Sequence, residues 1–187
     1  TKVTAEVIAA AKKLRVIGRA GGRVGEDDVA AAATVGNIVM NSPGGNLVST
    51  CELTMALLLA CSRGIAAADA SLKGGTWDRK AFAGGAEIHG KRIGIVGFGR
   101  IGREVAARCK AFGMEVWAYD PFVSPQVAEK VGVRAVTFDE ILTGCDYITL
   151  HTVMTPETRH MLGKEAFARI KPGVRIINAA RGELIDE

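Results

Sequence analysis

Residues 91–120 read KRIGIVGFGRIGREVAARCKAFGMEVWAYD, and this stretch decides the fold. It opens on an apolar run fit for a strand, passes into a helical segment over 101–112, and returns to an apolar strand over 115–119. Between the first strand and the helix, Gly97-Phe98-Gly99-Arg100-Ile101-Gly102 spells G-x-G-x-x-G. Each glycine has a mechanical reason. Gly97 permits a tight turn, Gly99 lets the backbone come close to a pyrophosphate, and Gly102 lets the helix pack closely on the sheet. The unpaired N–H groups at the helix start then face the phosphates. Alone the spacing is a weak signal, but Asp120 ends the next strand, 18 residues beyond Gly102. A carboxylate there accepts hydrogen bonds from the adenosine ribose hydroxyls. No arginine or lysine stands beside Asp120 to receive a ribose phosphate, so the pattern predicts NAD rather than NADP.

Working outward, strand patterns recur at 134–136, 147–150 and 174–178. Near-continuous apolar strands alternating with helices predict a parallel sheet covered on both faces. The fold class is therefore α/β, a doubly wound parallel sheet of the Rossmann type, with strand order 3-2-1-4-5 and the last strand at an edge. Upstream, a helix over 4–11, a strand over 14–18, a glycine-rich turn, an alanine-rich helix and a strand over 37–40 make a partial second α/β domain. Ser42-Pro43-Gly44-Gly45 breaks the pattern and reads as a hinge. It divides residues 1–44 from an NAD-binding domain over 45–187 that is incomplete at its C-terminal end. One long helix is expected over 46–73, with Val48, Cys51, Met55, Leu58, Leu59 and Ser62 on a single apolar face.

The composition is that of a folded protein with a real core: 187 residues, 48% hydrophobic and 24% charged. The net charge of +4 comes from 24 basic residues interleaved with 20 acidic ones. Without a basic face or stacking elements, nucleic acid is not expected as a partner. Cys51, Cys61, Cys109 and Cys145 lie far apart, with no pair at metal-ligand spacing and no disulfide framework, so no metal site is expected. Reduced thiols point to the cytoplasm or an organelle matrix. The longest apolar stretch, 53–61, falls well short of the roughly 20 residues of a bilayer span, and no membrane partner is expected. Charges at Lys2, Glu6, Lys12 and Lys13 break any signal-peptide core.

With these residues in view, the chain resembles the D-isomer-specific 2-hydroxyacid dehydrogenases. The resemblance runs through TKVTAEVI, LRVIGRAG, VMNSPGGN, ELTMALLLA, GFGRIGREVAARCKAFGMEVWAYDP, TPETRHMLG and KPGVRIINAARGELIDE. It is closest to the branch acting on a phosphorylated hydroxy acid. It implies a two-domain oxidoreductase that moves a hydride between a small anionic substrate and NAD, working as a homo-oligomer or within a larger assembly. By position it implies Arg100 and Ile101 on the pyrophosphate, Asp120 on the ribose, and Thr152 near the cofactor. Ala179 and Ala180 would lie beside the nicotinamide, and Arg181 would be the catalytic arginine. A planar guanidinium suits that role because it binds a carboxylate at two points.

The chain also departs from the family. Arg23, in GGRVGEDD, stands where the family's glycine normally lets backbone touch the substrate; it is expected to fill that pocket, the alternative being contact with an anionic substrate. Val153 replaces the proline that follows His-Thr. The family's histidine acid/base and its glutamate would come after Glu187, and its arginine-serine pair before Thr1. The isolated chain is therefore expected to be inactive, with 174–178 an uncovered edge strand that invites another chain. A second reading is an inactive NAD-binding relative that serves as a structural or sensing subunit. Among the histidines, His89 and His160 are not expected at the site, and His151 is expected beside the cofactor without an acid/base role.

Overall fold

The computed structural model describes residues 3–19 and 26–187, with the backbone alone for 26–28. Arg23 and most of its glycine-rich turn lie outside the described residues. The chain separates into two compact units, Thr1–Ser49 and Thr50–Glu187.

In the first unit, α1 (Ala5–Ala10) starts at Thr4, whose side chain accepts from the Val7 N–H, as an N-cap should. It is followed by β1 (Val16–Arg19), α2 (Glu26–Thr34) and β2 (Ile38–Asn41). The two strands pair in parallel with Val16 opposite Ile38. Ile8, Ile17 and Ala32 form the small buried centre.

The second unit holds most of α3 (Leu47–Arg63), then α4 (Ile65–Lys73). The single helix expected over 46–73 is in fact two. Gly64 adopts φ +62, a left-handed conformation cheap only for glycine, and the axis turns by 71° there. The expected apolar face also needs trimming: Cys51, Met55, Leu58 and Ser62 are buried, but Val48 is exposed. Among the described residues no single helix is long and apolar enough to cross a membrane; α3 and α4 pass by length and composition only as this bent pair.

The sheet begins at β3 (Arg92–Val96) and continues through α5 (Arg100–Ala111), β4 (Glu115–Tyr119), α6 (Pro125–Glu129), β5 (Arg134–Ala135), α7 (Phe138–Gly144), β6 (Tyr147–Leu150), α8 (Lys164–Phe167) and β7 (Arg175–Asn178). All strands are parallel in the order β5-β4-β3-β6-β7, the 3-2-1-4-5 arrangement predicted from sequence. Residues 93–96 of β3 and all four of β6 are buried, so both faces are covered. One cluster holds Ile93, Ile95, Val105 and Tyr147; the other holds Val96, Trp117, Ile141 and Ile148. Helix α7 was not anticipated, although Thr137 and Glu140 form a full capping box at its start. It packs so tightly that a Cβ on Gly94 would meet Ile141 Cγ2 at 2.5 Å.

Candidate functional site

Parallel register brings four strand ends to one row. Val96 stands opposite Tyr119 on one side and Leu150 on the other, and Leu150 opposite Asn178. The next residues in each strand, Gly97, Asp120, His151 and Ala179, therefore emerge along one carboxyl edge. The chain order reverses at β3, which has β4 on one side and β6 on the other. Such a switch point leaves a crevice that takes ligands in open α/β sheets.

Gly97 has φ +96, and a Cβ there would lie 2.6 Å from the His151 carbonyl carbon and the Thr152 nitrogen. The turn and the end of β6 thus close on each other only because residue 97 lacks a side chain. A Cβ on Gly102 would collide with the Gly97 carbonyl oxygen, so α5 can start this close to the turn only with glycine there. Gly99 differs: a Cβ on it would meet nothing within 4 Å. Open space lies beside the middle glycine, and α5, whose first N–H groups have no partner within the helix, begins at the next residue, Arg100. Arg100 is exposed and Ile101 half-buried.

Asp120 is half-buried at the end of β4. Its Oδ2 accepts from the Phe98 N–H at 2.8 Å and its Oδ1 from the Phe122 N–H at 2.9 Å. An ionised carboxylate has about four lone-pair sites, so acceptor capacity remains for two further donors. Asp120 also borders a cleft of about 440 Å³ lined by Phe98, Tyr119, Val136, Thr137 and Glu140 among others, none of the lining residues being basic. The Thr137 backbone N–H and hydroxyl hold the Glu140 carboxyl below its ordinary range, so the cleft carries two carboxylates. Arg134 nearby stacks over the Trp117 ring and reaches Glu140 at 3.8 Å.

On the other side of the switch point, Thr152 is half-buried and His151 donates its backbone N–H to Val96 O at 2.7 Å. Burial pushes the His151 imidazole down to about 4, and its Nε2 sits 3.0 Å from Thr149 Oγ1. Ala179 and Ala180 are half-buried, while Arg181 is exposed on extended backbone. Arg181 Nη1 donates to Ala180 O at 2.8 Å. Asn178, which sequence reasoning missed, fixes this loop: its Nδ2 donates to Arg181 O at 2.7 Å and its Oδ1 accepts from the Ala180 N–H at 3.0 Å. An asparagine ending a strand before two small residues is the available signal for such a turn. His89 precedes β3, at the amino ends of the strands. His160 lies beyond β6, where its backbone N–H donates to Glu183 O and its Nδ1 stands 3.8 Å from Asp186.

This edge combines an open space beside Gly99, a strand-end carboxylate, and an adjoining cleft with no basic side chain in its lining. Residues 55–187 match the family described as D-isomer specific 2-hydroxyacid dehydrogenase, NAD binding domain, and the chain belongs to that family. Within it, the chain is 52% identical over all 187 residues to the D-3-phosphoglycerate dehydrogenase of Rattus norvegicus, and 52% identical to that of Archaeoglobus fulgidus. It spans 35% of the length of each. Among solved structures, D-lactate dehydrogenase from Aquifex aeolicus, complexed with NAD and lactic acid, superposes with a TM-score of 0.80 at 29% identity. That match covers 97% of this chain and 54% of the other.

Proposed function

We propose that this chain forms the cofactor-holding core of an NAD-dependent dehydrogenase acting on D-3-phosphoglycerate or a related small anionic 2-hydroxy acid. The observation that carries the reading is the meeting, at one sheet edge, of the glycine turn, the Asp120 carboxylate and the Arg181 loop. The similarity to D-3-phosphoglycerate dehydrogenases across the whole chain supports the substrate class.

In this reading Gly97 and Gly102 shape the turn, and the backbone around Gly99, Arg100 and Ile101 holds the pyrophosphate. Asp120 accepts from the ribose hydroxyls, and Thr152, Ala179 and Ala180 border the nicotinamide end. Arg181 grips the substrate carboxylate and carbonyl oxygen, which turns C2 toward the cofactor. Bound NAD supplies the hydride acceptor. The proton leaving the C2 hydroxyl needs a base within hydrogen-bond reach. None of the three histidines is given that role, since His151 is neutral beside Thr149, His89 sits at the wrong end of the strands, and His160 faces Asp186. Leu53, Leu57, Ile65 and Leu72 are exposed on α3 and α4, which supports association with a second copy or another subunit. Sedimentation showing a stable monomer at low micromolar concentration would remove that part of the proposal.

Fluorescence titration tests the site. NADH should bind in preference to NADPH, and Asp120→Ala should weaken NADH by about 10–100-fold, the range of a hydrogen bond to a charged group. Equal affinity for the two cofactors, or an unaltered variant, refutes the ribose assignment. The 187-residue chain by itself should oxidise 3-phosphoglycerate about 10²–10⁴-fold more slowly than a dehydrogenase with a placed base. Ordinary turnover would move the base to one of its own histidines.

A further inference from the structure

The glycine turn has two soft points, Gly97 and Gly99, and two side chains hold the peptide planes around them. The plane joining Gly97 to Phe98 is held by its N–H, which donates to Asp120 Oδ2 at 2.8 Å. The plane joining Phe98 to Gly99 is held by its carbonyl, which accepts from Arg103 Nε at 3.1 Å. Arg103 stands in the first turn of α5, with its guanidinium carbon 5.8 Å from the centre of the buried Phe98 ring. Its own backbone N–H donates to Gly99 O at 3.1 Å, so residue 103 touches the turn twice.

A trans peptide unit is planar, with its C=O and N–H pointing in opposite directions. Fixing the Phe98 oxygen therefore fixes where the Gly99 N–H points. Gly99 has no Cβ, and open space lies beside it, so sterics alone do little to stop this plane from rotating. Rotation would withdraw an N–H from the phosphate cradle and turn a partially negative carbonyl toward an anion. We propose that Arg103 is a positioning residue for the dinucleotide phosphates, acting through the Phe98 carbonyl and not by its charge. The proposal rests on the NAD-binding reading above. It adds Arg103 to the glycines and Asp120, and it divides the work between two side chains. Asp120 reads the ribose and holds one plane, while Arg103 holds the other.

Side-chain geometry supplies the test. Glutamine carries Nε2 at the same chain position as arginine Nε, so Arg103→Gln keeps a neutral donor in place, whereas Arg103→Met keeps the length and loses the donor. In the full chain, calorimetric titration with adenosine and with ADP-ribose gives, from the ratio of their dissociation constants, the gain from the diphosphate together with the ribose it carries. Arg103→Met should lower that gain about 5–10-fold and leave adenosine affinity within about twofold, consistent with the loss of one hydrogen bond. Arg103→Gln should restore the gain to within about twofold of the parent, and all three proteins should melt at similar temperatures. An unchanged gain in Arg103→Met overturns the proposal. So does equal weakening of both ligands, and so does an Arg103→Gln variant as weak as Arg103→Met, which would assign the effect to charge. If the parent binds neither adenosine nor ADP-ribose, the NAD-binding reading falls and this proposal with it.

Discussion

The described residues form two parallel sheets that differ in how far they are buried. In the five-stranded sheet, β6 is buried at every position, and Ile93, Ile95, Leu150 and Ile148 have essentially no accessible surface. In the two-stranded sheet, Ile38 and Met40 of β2 are 59% and 55% exposed, and of β1 only Ile17 is buried. Hydrophobic stabilisation scales with apolar area removed from water, at roughly 25 cal/mol per Å². The larger sheet therefore fixes its neighbours closely, while the smaller one leaves them room. That difference is measurable at single glycines.

The largest expected effect contrasts two of them. A Cβ on Gly102 would collide with the Gly97 backbone oxygen, which cannot yield as a side chain can, whereas a Cβ on Gly18 in β1 would meet nothing within 4 Å. Gly102→Ala should destabilise the second unit by about 3 kcal/mol and weaken NADH binding, while Gly18→Ala should stay within about 0.5 kcal/mol. Urea melts followed by Trp117 fluorescence compare the first with the parent, and hydrogen exchange on β1 and β2 follows the second. Similar costs at both positions would erase the contrast.

The next effect is pH-dependent. His151 titrates near 4 in the folded chain because burial penalises its charge, against 6.5 for the ordinary group. A lowered value makes protonation oppose folding, so stability is full above pH 6.5 and falls as pH drops toward 4. The half-buried residue should cost at most about 2 kcal/mol by pH 5, and His151→Gln should flatten that loss. Asp146, Glu115 and Glu140 are all held below their usual range and stay charged between pH 7.5 and 5. A parent melt independent of pH between 7.5 and 5 would show that the imidazole is solvated.

A smaller effect lies inside the large core. The Tyr147 hydroxyl meets Ser62 Oγ at 2.9 Å in a fully buried pair, and Ser62 also donates to Leu58 O at 2.7 Å. Tyr147→Phe leaves Ser62 satisfied and should cost about 1–1.5 kcal/mol. A loss of 3 kcal/mol would mean that the phenol holds α3 against β6 more firmly than one hydrogen bond can.

What could be read from the sequence follows the same division. Strands buried on both faces announce themselves as apolar runs, so 115–119 and 147–150 were placed to the residue. The order of the sheet followed from the glycine turn and the alternation of elements. The break at Gly64 stayed hidden because the apolar pattern continues through it, and only the backbone angle reveals the turn. Between β4 and β7, α6, α7 and α8 are 5, 7 and 4 residues long, too short for helical periodicity to register. At the candidate site, residue types mark Gly97, Asp120 and Arg181, but the hold of Asn178 on the Arg181 carbonyl and that of Arg103 on the Phe98 carbonyl are contacts that no spacing rule predicts.

The smallest expected effect tests whether the large unit also dictates conformation outside its strands. His160 is the one described residue other than glycine with positive φ, at +53. Such a conformation costs a residue with a Cβ roughly 1 kcal/mol. Its backbone is held by its neighbours: the His160 N–H donates to Glu183 O at 2.8 Å, and Leu162 pairs with Leu184 and Asp186 alongside it. The side chain returns little, since its Nδ1 lies 3.8 Å from an exposed Asp186 and both groups are solvated. His160→Gly should relieve the strain, and the greater freedom of glycine in the unfolded chain should take part of that gain back. The expected net is a stabilisation of about 0.5 kcal/mol, read as a small rise in the urea midpoint at constant slope. His160→Ala, which keeps the Cβ and loses the ring, should gain nothing. If alanine stabilises as much as glycine, the cost lies in the imidazole and its neighbours, and the backbone at 160 carries no strain that the core must hold.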